Sequence, residues 1–161
     1  MNTQRTLCIL TLAILSMAAL SSCNRNIYYS DQKDIDSDGW HMSHHERFTV
    51  EVDDTLSLFN FFVDVRNKTN YGYANTFLFI NTTFPDGSIA HDTLECPLAD
   101  LEGRWYGKRT GRHVDNRYYL RKYVSFPVKG TYTFDILHGM RDTTLVGISS
   151  IGLRIERVPT H

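Results

Sequence analysis

Tyr73-Ala74-Asn75-Thr76-Phe77-Leu78-Phe79-Ile80-Asn81-Thr82-Thr83-Phe84-Pro85-Asp86-Gly87-Ser88-Ile89-Ala90-His91-Asp92-Thr93 is the stretch that decides the fold. Two runs of alternating character flank Pro85-Asp86-Gly87-Ser88, and this pattern predicts a β-hairpin. Pro85 presets its own φ, and Gly87 admits the positive φ that a side chain resists. In the leading run Phe77 and Phe79 share one face, with Leu78 and Ile80 on the other. Apolar residues on both faces predict a central strand buried between two layers. The return run, Ile89 to Leu94, is more polar and carries His91 and Asp92, which places it nearer an edge.

Working outward, the same period of two recurs. Phe48, Val50 and Val52 alternate with Thr49 and Glu51. From Leu58 to Arg66, Phe59, Phe61, Val63 and Val65 oppose Asn60, Asp64 and Arg66, and Phe62 on the polar face implies cover on both sides. Downstream, strands are predicted over Tyr118–Phe126, Thr131–Ile136 and Ile148–Glu156, the last with Ile151, Leu153 and Ile155 inward. Between Cys96 and Asn116 periodicity fails, and Gly103, Gly107 and Gly111 punctuate a long connection. Seven or eight short strands with turn signals between them, and no stretch patterned as a long helix, predict an all-β fold: an antiparallel two-sheet sandwich.

The N-terminal stretch has a different composition. Arg5 precedes an apolar run from Leu7 to Leu20, shorter than the roughly 20 residues a membrane span requires, and Leu20-Ser21-Ser22-Cys23 resembles a lipoprotein processing site. Residues 1–22 are therefore expected to be a lipoprotein signal peptide and Cys23 an acylated N-terminus. Residues 23–39 are read as a polar tether, with Tyr28 and Tyr29 either at headgroup level or on the domain, and residues 40–161 as the sandwich. Losing Arg5 with the signal leaves 16 basic side chains of the chain's 17 against 18 acidic ones, so bulk charge does not point to nucleic acid. Of three cysteines, Cys8 leaves and Cys23 is acylated, so Cys96 has no partner for an intrachain disulfide and reads as a small buried hydrophobe.

Several clusters invite chemistry. Asp34, Asp36, Asp38 and Gly39 have the spacing of a calcium loop, but its twelfth position falls on His45 instead of a bidentate glutamate. His41, His44 and His45 suggest zinc only if helical, and the segment leads into a strand. His91, Asp92 and Asp64 are the nearest approach to an acid–base set, yet no nucleophile elbow, zinc-binding pair or phosphate loop is present. No enzymatic activity, metal or other cofactor is expected. The richest feature runs from Arg104 to Lys122, where Arg104, Lys108, Arg109, Arg112, Arg117, Arg121 and Lys122 face only Asp115 in sequence, with Trp105, Tyr106, Tyr118 and Tyr119 interleaved. Such a mixture grips single-stranded nucleic acid in the cytoplasm, but an exported chain does not meet it there. An acidic partner surface, anionic headgroups or acidic glycans remain, with Arg104, Trp105, Tyr106, Arg109 and Arg112 as contacts.

These pieces together resemble the gliding motility lipoprotein GldH family of the Bacteroidota. The matching residues are Gly39-Trp40, Val65-Arg66-Asn67, Asn75, Phe77-Leu78-Phe79, Phe84-Pro85-Asp86-Gly87, Asp92-Thr93-Leu94, Pro97-Leu98-Ala99-Asp100, Gly103, Trp105, Phe126-Pro127, Gly130-Thr131-Tyr132-Thr133-Phe134, Met140-Arg141 and Gly152-Leu153-Arg154-Ile155-Glu156. The stretch Lys108 to Arg117 is longer and more basic than the family pattern, and Ser149-Ser150 stands where an aspartate is usual. The resemblance implies an outer-membrane lipoprotein without catalysis, held by its lipid anchor and partnered by other envelope lipoproteins or by gliding and secretion machinery. Asn24-Arg25-Asn26 lacks the acidic cluster that resembles a surface-export signal, which favours the periplasmic face. Thr55, Thr93 and Thr143, each after an aspartate, look like the phylum's O-glycosylation acceptors. The alternative is a glycan-binding sandwich using Trp105 or Tyr106.

Overall fold

The computed structural model describes residues 26–159; the expected signal peptide and acylated Cys23 lie outside the described residues. Eleven strands succeed one another in order: β1 Ile27–Asp34, β2 Trp40–His41, β3 Glu46–Val52, β4 Phe59–Lys68, β5 Asn75–Thr83, β6 Ile89–Pro97, β7 Lys108–Thr110, β8 His113–Val124, β9 Gly130–His138, β10 Thr144–Leu145 and β11 Ile148–Arg157. They form a five-stranded sheet, β1-β11-β4-β8-β7, and a four-stranded sheet, β3-β9-β5-β6, both antiparallel, with β2 and β10 making a small ribbon.

The alternation seen in the sequence is what packs the two sheets together. Phe61, Val63 and Val65 of β4 and Ile151, Leu153 and Ile155 of β11 meet Phe48 and Val50 of β3, Leu78 and Ile80 of β5 and Tyr132, Phe134 and Ile136 of β9, all fully buried or nearly so. Phe126 knits the layers at one end, with ring centroids 5.3 Å from Phe61, 5.1 Å from Phe59 and 4.9 Å from Tyr132. Removing this much apolar surface from water, at about 25 cal/mol per Å2, is the main force holding the fold.

Three readings change. Ile27–Asp34, expected to be tether, is an edge strand, antiparallel to β11 from Ile27 opposite Glu156 to Asp34 opposite Ser150. The sandwich therefore begins at Ile27 and not at residue 40. Tyr28 lies on the domain: its ring sits 4.9 Å from Phe59, and its hydroxyl donates to an Asp53 carboxylate oxygen at 2.8 Å. Second, β5 is central in its sheet, between β9 and β6, but only one face is covered: Leu78 and Ile80 are buried whereas Phe79 is 45% exposed. Third, the long aperiodic connection contains β7 and the first residues of β8. The sequence hid that start because Asn116 points inward, donating to Asn67 Oδ1 at 3.0 Å.

Candidate interaction surface

The strand registers sort the loops into two ends. Asn26, the 53–58 loop, the Phe84–Ser88 turn and the 125–129 loop lie together at one end, where Val52 opposes Gly130 and Phe59 opposes both Val124 and Arg157. At the other end, Lys68 opposes His113, Asn75 opposes Pro97 and Leu78 opposes His138. Arg104, Trp105, Tyr106, Arg109 and Arg112 belong to this far end.

Two turns build that surface. Leu98 and Ala99 both donate backbone N–H to the Ala74 carbonyl, at 2.7 and 2.9 Å, and Tyr106 N–H returns to the Leu98 carbonyl at 2.9 Å. Asp100 closes the loop by accepting from the backbone N–H of Glu102 at 3.0 Å and of Arg104 at 2.8 Å. Those bonds hold its carboxyl below the usual range. Gly103, at φ +79°, takes the left-handed step that a side chain would disfavour. Trp105 is half-buried against the core, and Tyr106 stands out at 64% exposure. The second turn is Gly111-Arg112 between β7 and β8, with Arg109 Nε donating to the Gly111 carbonyl at 3.2 Å and the Arg112 carbonyl accepting from Thr69 N–H at 2.8 Å.

The basic run is far more neutralised than the sequence implies. Arg104 pairs with Asp100 at 2.6 Å and Glu102 at 3.0 Å, so it serves its own turn. Arg117 grips Asp64 with two bonds, at 2.6 and 2.9 Å, and Arg121 reaches Asp92 at 2.6 Å, while Asp115 is taken by Arg66 at 2.6 Å. Lys122 lies over the Tyr119 ring at 4.0 Å. Lys108, Arg109 and Arg112 are exposed and, among the described residues, have no carboxylate within salt-bridge range. These three cations beside Tyr106 are the surface that remains. Below them runs a shallow groove of about 330 Å3, lined by Pro97, Tyr106, Gly107, Arg117 and Tyr118 among others. Gly107 is required there: a β-carbon would come within 2.4 Å of the Asp115 carbonyl and of Asn116 Oδ1.

The other candidates disperse. Asp34, Asp36, Asp38, His41, His44 and Glu46 line a hollow of about 360 Å3, yet among the described residues no three of His, Cys, Asp or Glu come together as a metal-holding group. His44 pairs with Glu46 at 3.3 Å, and burial raises the Glu46 carboxyl above its usual range. His91 faces outward to Asn81 Oδ1 at 2.7 Å, while its neighbour Asp92 crosses the seam between the sheets to Arg121, so they do not converge. Cys96 is fully buried, its thiol pushed up to about 12 by desolvation, which leaves it unreactive. Thr93 and Thr143 are exposed, and Thr55 is half-buried in a turn that Asp54 caps through the N–H groups of Leu56 and Ser57.

A family model described as GldH lipoprotein matches residues 27–155, from the first residue of β1 well into β11, and defines this sandwich as a lipoprotein domain. The chain belongs to the GldH lipoprotein family. It is 28% identical over 151 residues to a gliding motility lipoprotein GldH homolog of Christiangramia forsetii, covering 89% of this chain and 92% of that protein. It is 29% identical over 151 residues to gliding motility lipoprotein GldH of Flavobacterium johnsoniae, covering 89% and 93%. Among solved structures it aligns at a TM-score of 0.43 and 9% identity with tripeptidyl peptidase 2, covering 83% of this chain and 10% of that one. With latent dimeric PorU of Porphyromonas gingivalis the TM-score is 0.34 at 8% identity, covering 84% and 13%. The chain thus spans about a tenth of those two proteins, and likenesses this distant carry no functional weight.

Proposed function

We propose that this protein is an outer-membrane lipoprotein, acylated at Cys23 and facing the periplasm, that acts without catalysis as a docking component of gliding-motility or secretion-associated envelope machinery. The observation that carries the reading is the polarity of the domain. β1, the strand that follows Cys23 in the sequence, begins at one end, and Lys108, Arg109, Arg112 and Tyr106 are exposed at the opposite end. Arginine and tyrosine are the side chains that most often anchor protein interfaces. The same surface fits an acidic patch on another envelope protein.

The test is affinity capture of the full-length protein in mild detergent, beside the double substitution Arg109→Glu and Arg112→Glu. Envelope membrane proteins recovered with the native chain and lost with the variant support the reading, and equal recovery from both sinks it. The glycan-binding alternative draws on the exposed Tyr106 beside the Tyr118 groove, and a saccharide that raises the melting temperature would favour it. Gene deletion then separates a role in movement from one in secretion. Thr93 and Thr143 are the more accessible of the three proposed O-glycosylation acceptors.

A further inference from the structure

The distance between lipid and fold is short. Backbone pairing begins at Asn26, whose carbonyl accepts from Arg157 N–H at 2.7 Å, and β1 is in register with β11 from Ile27. Only Asn24, Arg25 and Asn26 separate Cys23 from the strand, and three residues span at most about 11 Å in any conformation. A tether reaching to residue 39 would have let the domain stand away from the bilayer, but this leash does not.

The loops and strand termini at that end carry exposed apolar side chains. Leu56 is 94% exposed, Val128 48%, Ile89 56% and Tyr123 65%. The Asp54–Arg157 ion pair at 3.1 Å ties the 53–58 loop to the end of β11, and Gly130 lies against Pro85 of the neighbouring turn. The carboxylates nearby are engaged: Asp53 by the Tyr28 hydroxyl, Asp54 by Arg157 and two turn N–H groups, Asp86 by Ser88. Among the described residues, Lys129 has no carboxylate within salt-bridge range, so a cation at this end is left to meet anionic headgroups.

We propose that this end is a second membrane contact, in which Leu56, Val128, Ile89 and Tyr123 enter the headgroup region of the phospholipid bilayer that holds the anchor. This rests on the reading that Cys23 is acylated. The contact fixes the orientation of the sandwich, with its strands running outward from the bilayer and the far-end cations roughly 30 Å out, the length of a nine-residue strand. Apolar tips buried about 5–10 Å into the headgroup and acyl boundary are the ordinary geometry of interfacial segments.

The test uses full-length acylated protein in vesicles of phosphatidylethanolamine and phosphatidylglycerol, with an environment-sensitive fluorophore on Leu56→Cys, Val128→Cys or Leu101→Cys. Cys96 is fully buried and does not compete for label, and Leu101 is a matched control because it is 102% exposed but on the far-end loop. Emission from positions 56 and 128 is expected to move to shorter wavelength and be quenched by lipid-borne spin labels, with neither change at 101. Equal responses at 56 and 101, or no response at 56 in protein that floats with the vesicles, overturn the proposal and leave the anchor standing. Protein that does not float refutes the anchor reading, and the proposal falls with it.

Discussion

At the end where β1 begins, the carboxylates of the connections are tied into their own turns: Asp54 caps Leu56 and Ser57, and Asp86 caps Ser88. At the far end the 98–107 connection is long and carries the half-buried Trp105, and Lys108, Arg109 and Arg112 follow it with no carboxylate in salt-bridge range among the described residues. The first end is built to be compact beside a surface. The second spends structure on presenting side chains, which is where binding loops on a rigid scaffold are usually found. The proposed division, one end for lipid and one for partners, is open to attack by substitution.

The largest effect is expected at the base of the far end. Trp40 is 1% exposed, donates Nε1–H to the His44 carbonyl at 2.8 Å and packs edge-on to His138 at 5.4 Å. Trp40→Ala should cost about 3–5 kcal/mol in urea unfolding. A loss under about 1 kcal/mol would mean the far end is a loose fringe and the contrast is false. Next, Gly107→Ala forces a β-carbon against a backbone carbonyl that cannot step aside, and overpacking of this kind costs about 1–3 kcal/mol. It should weaken partner capture as well, because Tyr106 is the preceding residue. Unchanged capture would move the docking surface away from this groove.

A smaller, pH-dependent effect belongs to His138. It is 3% exposed, with neither ring nitrogen hydrogen-bonded among the described residues, and burial lowers its pKa below the ordinary 6.5. The unfolded chain therefore binds a proton before the folded one does, so stability present above pH 6.5 declines as pH falls from there through the folded value. Glu46 slopes the other way: burial raises its pKa above 4.5, and its contribution weakens as pH rises from there. In a Glu46→Gln background, unfolding between about pH 7 and 5 should show the histidine slope, and His138→Phe should flatten it. A slope that survives His138→Phe assigns the titration elsewhere. The smallest effect on stability, within about 0.5 kcal/mol, is expected from inserting a Gly-Ser linker after Asn24. It should nonetheless abolish lipid quenching at position 56. Persistent quenching would show that the loop tips hold the membrane without the short leash.

The sequence made the interior legible and the pairing illegible. Strands β3, β4, β5, β9 and β11 announced themselves because one face is buried and a period of two results from that. The edge strand β1 did not. Ile27, Tyr28 and Tyr29 are half-buried, but Ser30, Asp31 and Gln32 are exposed, and a polar edge strand has the composition of a linker. The adjacent β-formers Ile27-Tyr28-Tyr29 were the one signal to be had. The basic run misled for a different reason. Asp64 and Asp92 lie far from Arg117 and Arg121 in sequence and meet them only once registers are set, so a charge count along the chain cannot see the neutralisation. Cations at a turn, such as Arg109 and Arg112, were legible because cross-strand partners run out there.

The pairing of β1 with β11 joins the opening strand of the domain to its closing one. A chain secreted amino end first must therefore keep its first strand idle until the last has cleared the translocation channel, and only then can the five-stranded sheet zip shut. Closure of that sheet is thus a pairing across the whole length of the domain, the kind of long-range step that sets a slow pace for folding.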